Sequence, residues 1–133
     1  MALKAPWTGG CSCGAVRYEI TGKPYHVCHC HCRLCRGSTG AAMVTWLTVN
    51  KNDFNVTEGE LRGFQSSEVG ERCFCGKCGS HITFDHKNYD DEIDVTVASL
   101  DNSDRLPPGK HIWTDQSLSW ARIDEHLPKR RRD

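Results

Sequence analysis

In "AVRYEI", apolar residues recur at every second position: Val16, Tyr18 and Ile20 fall on one side of an extended chain, Arg17 and Glu19 on the other. That period of two predicts a half-buried strand. "MVTWLTV" (43–49) and "EIDVTVA" (92–98) are rich in β-branched and aromatic residues and predict two more, while "LRGFQ" and "HITF" are shorter candidates. No window of a dozen residues carries an apolar stripe at helical spacing, so helices are expected to be short. The best local candidate is "RLCRGSTGAA", one or two turns ending at Gly40. "LDNSDRLPPGKH" is expected to be loop, with Pro107, Pro108 and Gly109 as breakers. The pattern predicts a mainly β, compact fold with short helical turns.

A chain of 133 residues is long enough for one core but not two, so one domain is expected. Seventeen acidic and seventeen basic side chains leave no net charge to attract nucleic acid or an anionic membrane. The basic run Lys129-Arg130-Arg131-Arg132, followed by Asp133, reads as a solvated tail (129–133). No stretch approaches the roughly 20 apolar residues of a membrane span, and "MALKAPWTGG" has no apolar run of a secretory signal. A soluble, cytoplasmic protein is expected. Nine cysteines would suggest disulfides in a secreted chain, but the number is odd. In a reducing compartment clustered thiols point to metal, which would replace part of a small core.

The cysteines form three groups: Cys11 and Cys13; Cys28, Cys30, Cys32 and Cys35; Cys73, Cys75 and Cys78. Structural zinc commonly takes two ligands from each of two short knuckles. "CSCG" offers one pair and "CGKCG" the other, the second followed by Gly79, which permits the chain to fold back so that backbone amides approach the sulfurs. A four-cysteine site from Cys11, Cys13, Cys75 and Cys78 leads over free buried cysteines or a redox CxxC. Cys30, Cys32 and Cys35 then remain as a CxCxxC tripod whose fourth position would be open, as in catalytic zinc sites. Spacing alone leaves equal room for Cys28 or His29 to close it, and His31 could face either way.

"GGCSCGAVRY", "CHCHCRLCRGSTGA", "RCFCGKCGSHITF", "DEIDVTVASLD" and "HIWTDQSLSW", in that order from about Gly9 to Pro128, resemble the glutathione-dependent formaldehyde-activating enzyme family. The resemblance implies a β-tent-like fold and two zinc ions per chain. Cys11, Cys13, Cys75 and Cys78 would hold the structural one; Cys30, Cys32 and Cys35 would hold the catalytic one. It further implies addition of glutathione to formaldehyde, a carbon–sulfur lyase-type reaction giving S-hydroxymethylglutathione. Cys28 and Cys73 are thiols beyond the family's usual set, and His29 and His31 enrich the loop.

Zinc held by three thiolates carries a net charge of −1 and is a weak Lewis acid, so it should activate sulfur: a thiol in the fourth position loses its proton. Glutathione bears two carboxylates and an amine, so cations are expected around the metal. Arg33 and Lys77 read as solvated; Arg36, next to the last tripod cysteine, is the expected substrate contact. His81 is a candidate proton shuttle or merely a packed ring. Trp46, Trp113 and Trp120 would form an aromatic wall if they converge, and core packing otherwise. Cys73 would share the face of Cys75 in a strand, as a small hydrophobe or spare ligand. The expected partners are a small thiol and an aldehyde. Two rivals stand beside the enzyme: a zinc-stabilised protein-binding module with a closed second site, and a thiol redox or metal-handling protein using Cys28 and Cys73.

Overall fold

In the computed structural model, which describes residues 6–121, 127–128 and 130–132, the chain forms two β-sheets and one short α-helix. Lys129 and Asp133, the ends of the expected basic tail, lie outside the described residues. The mainly β expectation holds. In chain order the elements are β1 (Trp7–Gly10), β2 (Arg17–Ile20), β3 (His26–Cys30), α1 (Arg33–Thr39), β4 (Val44–Asn50), β5 (Phe54–Glu58), β6 (Leu61–Gln65), β7 (Gly70–Cys75), β8 (His81–His86), β9 (Glu92–Thr96) and β10 (Lys110–Ile112). The smaller sheet is ordered β1-β2-β5; the larger is β10-β3-β4-β9-β8-β7-β6.

The face predicted for "AVRYEI" is the buried one: Val16, Tyr18 and Ile20 are all enclosed. They pack with Leu47, Val49, Ile82 and Val95 of the larger sheet, so this core joins the two sheets. β4 is buried on both faces. Leu47 and Val49 enter that first core, while Val44 and Trp46 point the other way and pack with Cys28, Cys30 and Cys35. A period-two strand that is apolar on both sides is expected only where both faces are covered.

Two elements differ from the sequence expectation. β9 stops at Thr96 because the Ser99 hydroxyl donates to the Thr96 carbonyl (2.8 Å) and Leu100 N–H donates to Val97 (3.0 Å), closing a 3-10 turn over Val97–Ser99. The predicted loop 100–111 ends in β10, which runs parallel to β3 with Lys110 opposite Cys28 and Ile112 opposite Cys30. A three-residue strand with one apolar residue has no alternation to read.

Register aligns one row across the larger sheet. His26 faces Thr48, Thr48 faces Asp94, Asp94 faces Phe84, and Phe84 faces Arg72. Directly opposed residues share a sheet face, so this row lies on the same side as Cys28 and Cys30.

Candidate metal centre and cleft

Two turns bring four sulfurs together at one end of the molecule. After Cys11 the chain reverses through Gly14 (φ 81°), with Cys11 N–H donating to Val16 O and Val16 N–H donating to the Cys11 sulfur (3.2 Å). After Cys75 it reverses through Gly79 (φ 78°), with Gly79 N–H on Cys75 O and Lys77 N–H on the Cys75 sulfur (3.4 Å). Positive φ at both glycines is the conformation a side chain resists. The sulfurs of Cys11, Cys13, Cys75 and Cys78 all lie within 4.8 Å of one another. Ser80 ties the knuckles: its hydroxyl accepts from Ser12 N–H (2.9 Å) and touches the Cys78 sulfur (3.1 Å). That hydroxyl and the Ser80 backbone hold Cys78 well below the ordinary thiol range, at about 5. Four convergent sulfurs with N–H donors at the knuckle necks fit a tetrahedral zinc ion.

The second group is built from a strand end and a helix start. Cys30 closes β3, Cys32 caps α1 with its sulfur accepting from Cys35 N–H (3.2 Å), and Cys35 is buried in the first turn. The helix ends at Gly40 (φ 72°), as predicted. The three sulfurs lie within 4.8 Å of one another, Cys30 and Cys35 at 3.7 Å. Thiol hydrogen bonds from Cys30 and Cys35 push Cys32 far below the ordinary thiol value. The donor set again fits zinc, here with three ligands.

Neither proposed closing ligand joins the trio. Cys28 shares the face of Cys30, but its sulfur is not part of the group, and burial together with the Asp94 charge raises its pKa. His29 turns to the opposite face, with Nδ1 2.8 Å from the Thr45 hydroxyl. His31 follows it there: its Nε2 meets Nδ1 of His111 at 2.8 Å, and its N–H donates to Ile112. His31 thereby ties β10 to the tail of β3, and His29 ties β3 to β4, rather than facing the sulfurs.

The trio opens on a cleft of about 780 Å³, within the range that encloses small organic ligands. Its inner wall holds a residue the sequence reading did not select. Arg72, 3% exposed, points both terminal nitrogens at the Cys35 sulfur (3.6 Å each), donates from Nε to Ser66 Oγ (3.0 Å) and lies 4.6 Å above the Phe84 ring. The only signal was its place three positions before Cys75, ahead of the second knuckle. Arg36 is committed elsewhere: Nε donates to His31 O (3.3 Å) and a terminal nitrogen to Gln116 O (3.0 Å), and it does not line the cleft.

Trp46 forms part of the cleft wall and Trp113 its rim, while Trp120 lies outside and is exposed. Trp113 holds a left-handed backbone (φ 57°), uncommon for a bulky residue. It opens the turn Thr114–Gln116, which is clamped to α1 by Gln116 Oε1 accepting from Arg33 N–H (2.9 Å). His81 does not line this cleft; its ring lies edge-on to Trp46 with both nitrogens unpartnered, and burial, then the Arg72 cation, pushes it down to about 4. Cys73 stands apart from both sulfur groups, and the register shift beside it places the extra residue, Ile82, on β8. Lys77 is exposed beside the second knuckle.

Among the described residues no helix is long and apolar enough to cross a membrane. Comparison with known proteins finds an uncharacterized lyase of Schizosaccharomyces pombe, 32% identical over 84 residues, 62% of this chain. The match spans 59% of that relative's length. A crystal structure of a Rhodobacter sphaeroides protein superposes with a TM-score of 0.63 at 26% identity, covering 78% of this chain and 98% of the other. The family profile described as glutathione-dependent formaldehyde-activating enzyme matches residues 6–116, which carry both sulfur groups, the cleft and Arg72, and the chain belongs to that family.

Proposed function

We propose that the protein is a zinc-dependent carbon–sulfur lyase-type enzyme that joins glutathione or a related thiol to formaldehyde or another small aldehyde, giving the S-hydroxymethyl adduct. The observation that carries this reading is a three-sulfur group opening on a ligand-sized cleft with a buried guanidinium at its back. Cys30, Cys32 and Cys35 would hold the catalytic ion, and Cys11, Cys13, Cys75 and Cys78 the structural one. A zinc ion held by those three cysteines would supply the positive charge that lowers the pKa of an incoming thiol.

The chain's own residues do the rest. Arg72 sets a positive charge against an anionic sulfur cluster in a place water hardly reaches, which favours the thiolate forms. Arg33 and Lys110 line the cleft and offer cations to the carboxylates of the thiol. Trp46, Phe84 and Ile112 give an apolar wall that excludes water beside the reacting carbon. Arg36, expected to touch substrate, contributes by locking α1 to the 114–116 turn. In the reaction the thiol sulfur bonds to the aldehyde carbon, the carbonyl π pair moves to oxygen, and the thiol proton ends on that oxygen. Cys28 and Cys73 are both pushed above the ordinary thiol value, first of all by burial, which speaks against reactive thiolates there. A reducing, cytoplasmic setting fits nine cysteines without a disulfide.

The test is exchange NMR on the zinc-loaded protein with glutathione and labelled formaldehyde at equilibrium. The protein should accelerate interconversion between formaldehyde hydrate and the hydroxymethyl adduct, and Cys35→Ser should not. Equal exchange rates with and without protein would leave the binding-module reading in its place.

A further inference from the structure

The cleft has a second polar end away from the sulfurs. Asp94 sits on β9, the third strand in from the β10 edge of the larger sheet, and its carboxylate lines the cleft. Thr48 donates to Oδ1 at 2.6 Å, and no hydrogen bond among the described residues occupies Oδ2. Neither Arg17–Asp101 nor Lys51–Asp85, the ion pairs seen among those residues, includes Asp94. The titratable groups that face it are Glu92, which accepts from the Tyr25 hydroxyl (2.6 Å), and the rings of His26 and His86. A largely enclosed carboxylate with one hydroxyl donor is under-compensated, and burial raises its pKa to about 6. What is missing is a donor with positive charge, arriving from the cleft.

The register fixes how far that donor sits from the sulfurs. Cys30 pairs with Val44, and Asp94 pairs with Thr48, four residues further along β4. Four residues of strand are roughly 13 Å and the two strand spacings across β4 about 10 Å, so the Cα atoms lie on the order of 16 Å apart, a span the two side chains and the bonds at each end shorten by several ångströms. A two-carbon aminothiol is too short to bridge that gap; a peptide-sized thiol with its amine several bonds from the sulfur can.

We infer that Asp94 is the specificity residue of a distant subsite: it receives the ammonium group of a peptide-sized thiol whose sulfur is seated at Cys30, Cys32 and Cys35. This rests on the reading of the trio as a thiol-binding centre. Thr48 orients the carboxylate, and its partner on β3, His26, closes the same row. The subsite selects by length and charge together, because the sulfur and the ammonium must be held at once.

Calorimetric titration of the zinc-loaded full chain with glutathione, N-acetylglutathione and cysteamine tests this. Glutathione should bind about tenfold or more tighter than its acetylated form, the scale of one charge-assisted hydrogen bond. Asp94→Asn should weaken glutathione by a similar factor and leave N-acetylglutathione and cysteamine within about twofold. The comparison of the two tripeptides on the unmodified protein needs no variant and stands even if Asp94→Asn folds poorly. Equal affinity for the two tripeptides, or an Asp94→Asn effect of the same size on all three thiols, overturns the subsite alone. Failure of every thiol to bind the unmodified protein overturns the thiol-centre reading and the subsite with it.

Discussion

Both terminal nitrogens of Arg72 lie 3.6 Å from the sulfur of Cys35. A guanidinium in a rigid two-pronged pose is held there by Ser66 below and the Phe84 face beside it, so its charge is fixed against one sulfur rather than shared with solvent. Arg72→Met keeps most of the packing and removes the charge. The expected outcome is a folded protein that loses metal from the three-cysteine site to a mild chelator about 10–100-fold faster, the scale of a buried charged hydrogen bond. Arg72→Lys should recover only part of the loss, since a single ammonium cannot reproduce both prongs. Chelator-release kinetics followed by a zinc dye check both.

The two sulfur groups should fail differently. Cys75 closes a knuckle that joins the start of the chain to its middle, so Cys75→Ser is expected to unfold or aggregate the protein; structural zinc supplies on the order of 10 kcal/mol in small domains. Cys35→Ser should leave a folded protein with one zinc in place of two. Elemental analysis beside circular dichroism separates the outcomes, and equal unfolding by both variants would make the second site structural as well.

Asp94 sets a pH dependence of stability. Burial raises its pKa to about 6 from 3.8, so the native state holds this proton more tightly than the unfolded chain does. Stability from the protonated form is fully present below 3.8 and is lost as pH rises through about 6, a cost of up to about 3 kcal/mol. Asp94→Asn should therefore be more stable than the parent at pH 8, with the gain shrinking towards pH 5. Urea unfolding of zinc-loaded protein at the two pH values gives the difference directly.

Trp113 combines a left-handed backbone with a side chain on the cleft rim, 57% exposed. Trp113→Gly removes both the strain and the rim; Trp113→Ala removes the rim and keeps the strain. Glycine should be the more stable of the two by about 1 kcal/mol, while both raise KM for the thiol by a similar factor. Thermal melts and steady-state kinetics on the pair separate backbone from side chain.

How much of this was legible beforehand follows from where the information sits. The strand at 17–20, the helix ending at Gly40 and the grouping of sulfurs were carried by local signals: alternation, a glycine cap, and short cysteine spacings. Arg72, Asp94 and Phe84 were not, because each lies on a different strand and they meet only through the register of β7, β8 and β9. The turn of His29 and His31 away from the sulfurs depends on β3 remaining extended up to Cys30, which a dense run of ligand-type residues does not announce. Adjacency to Cys35 along the chain puts Arg36 on another side of the helix, where backbone carbonyls accept from its guanidinium.

β4 is apolar on both faces, and that has a cost for pairing. A strand polar on one side cannot slide by one residue without exposing its core face, but in β4 a slide would merely exchange Trp46 and Val44 for Leu47 and Val49. Hydrophobicity therefore leaves its alignment almost undetermined. Two threonines supply what is missing: Thr45 meets His29 on one face (2.8 Å) and Thr48 meets Asp94 on the other (2.6 Å). Each acts as a locating pin between β4 and one neighbour, and together they index three strands, so that Cys30 and Asp94, which never touch, are delivered to opposite ends of the same cleft.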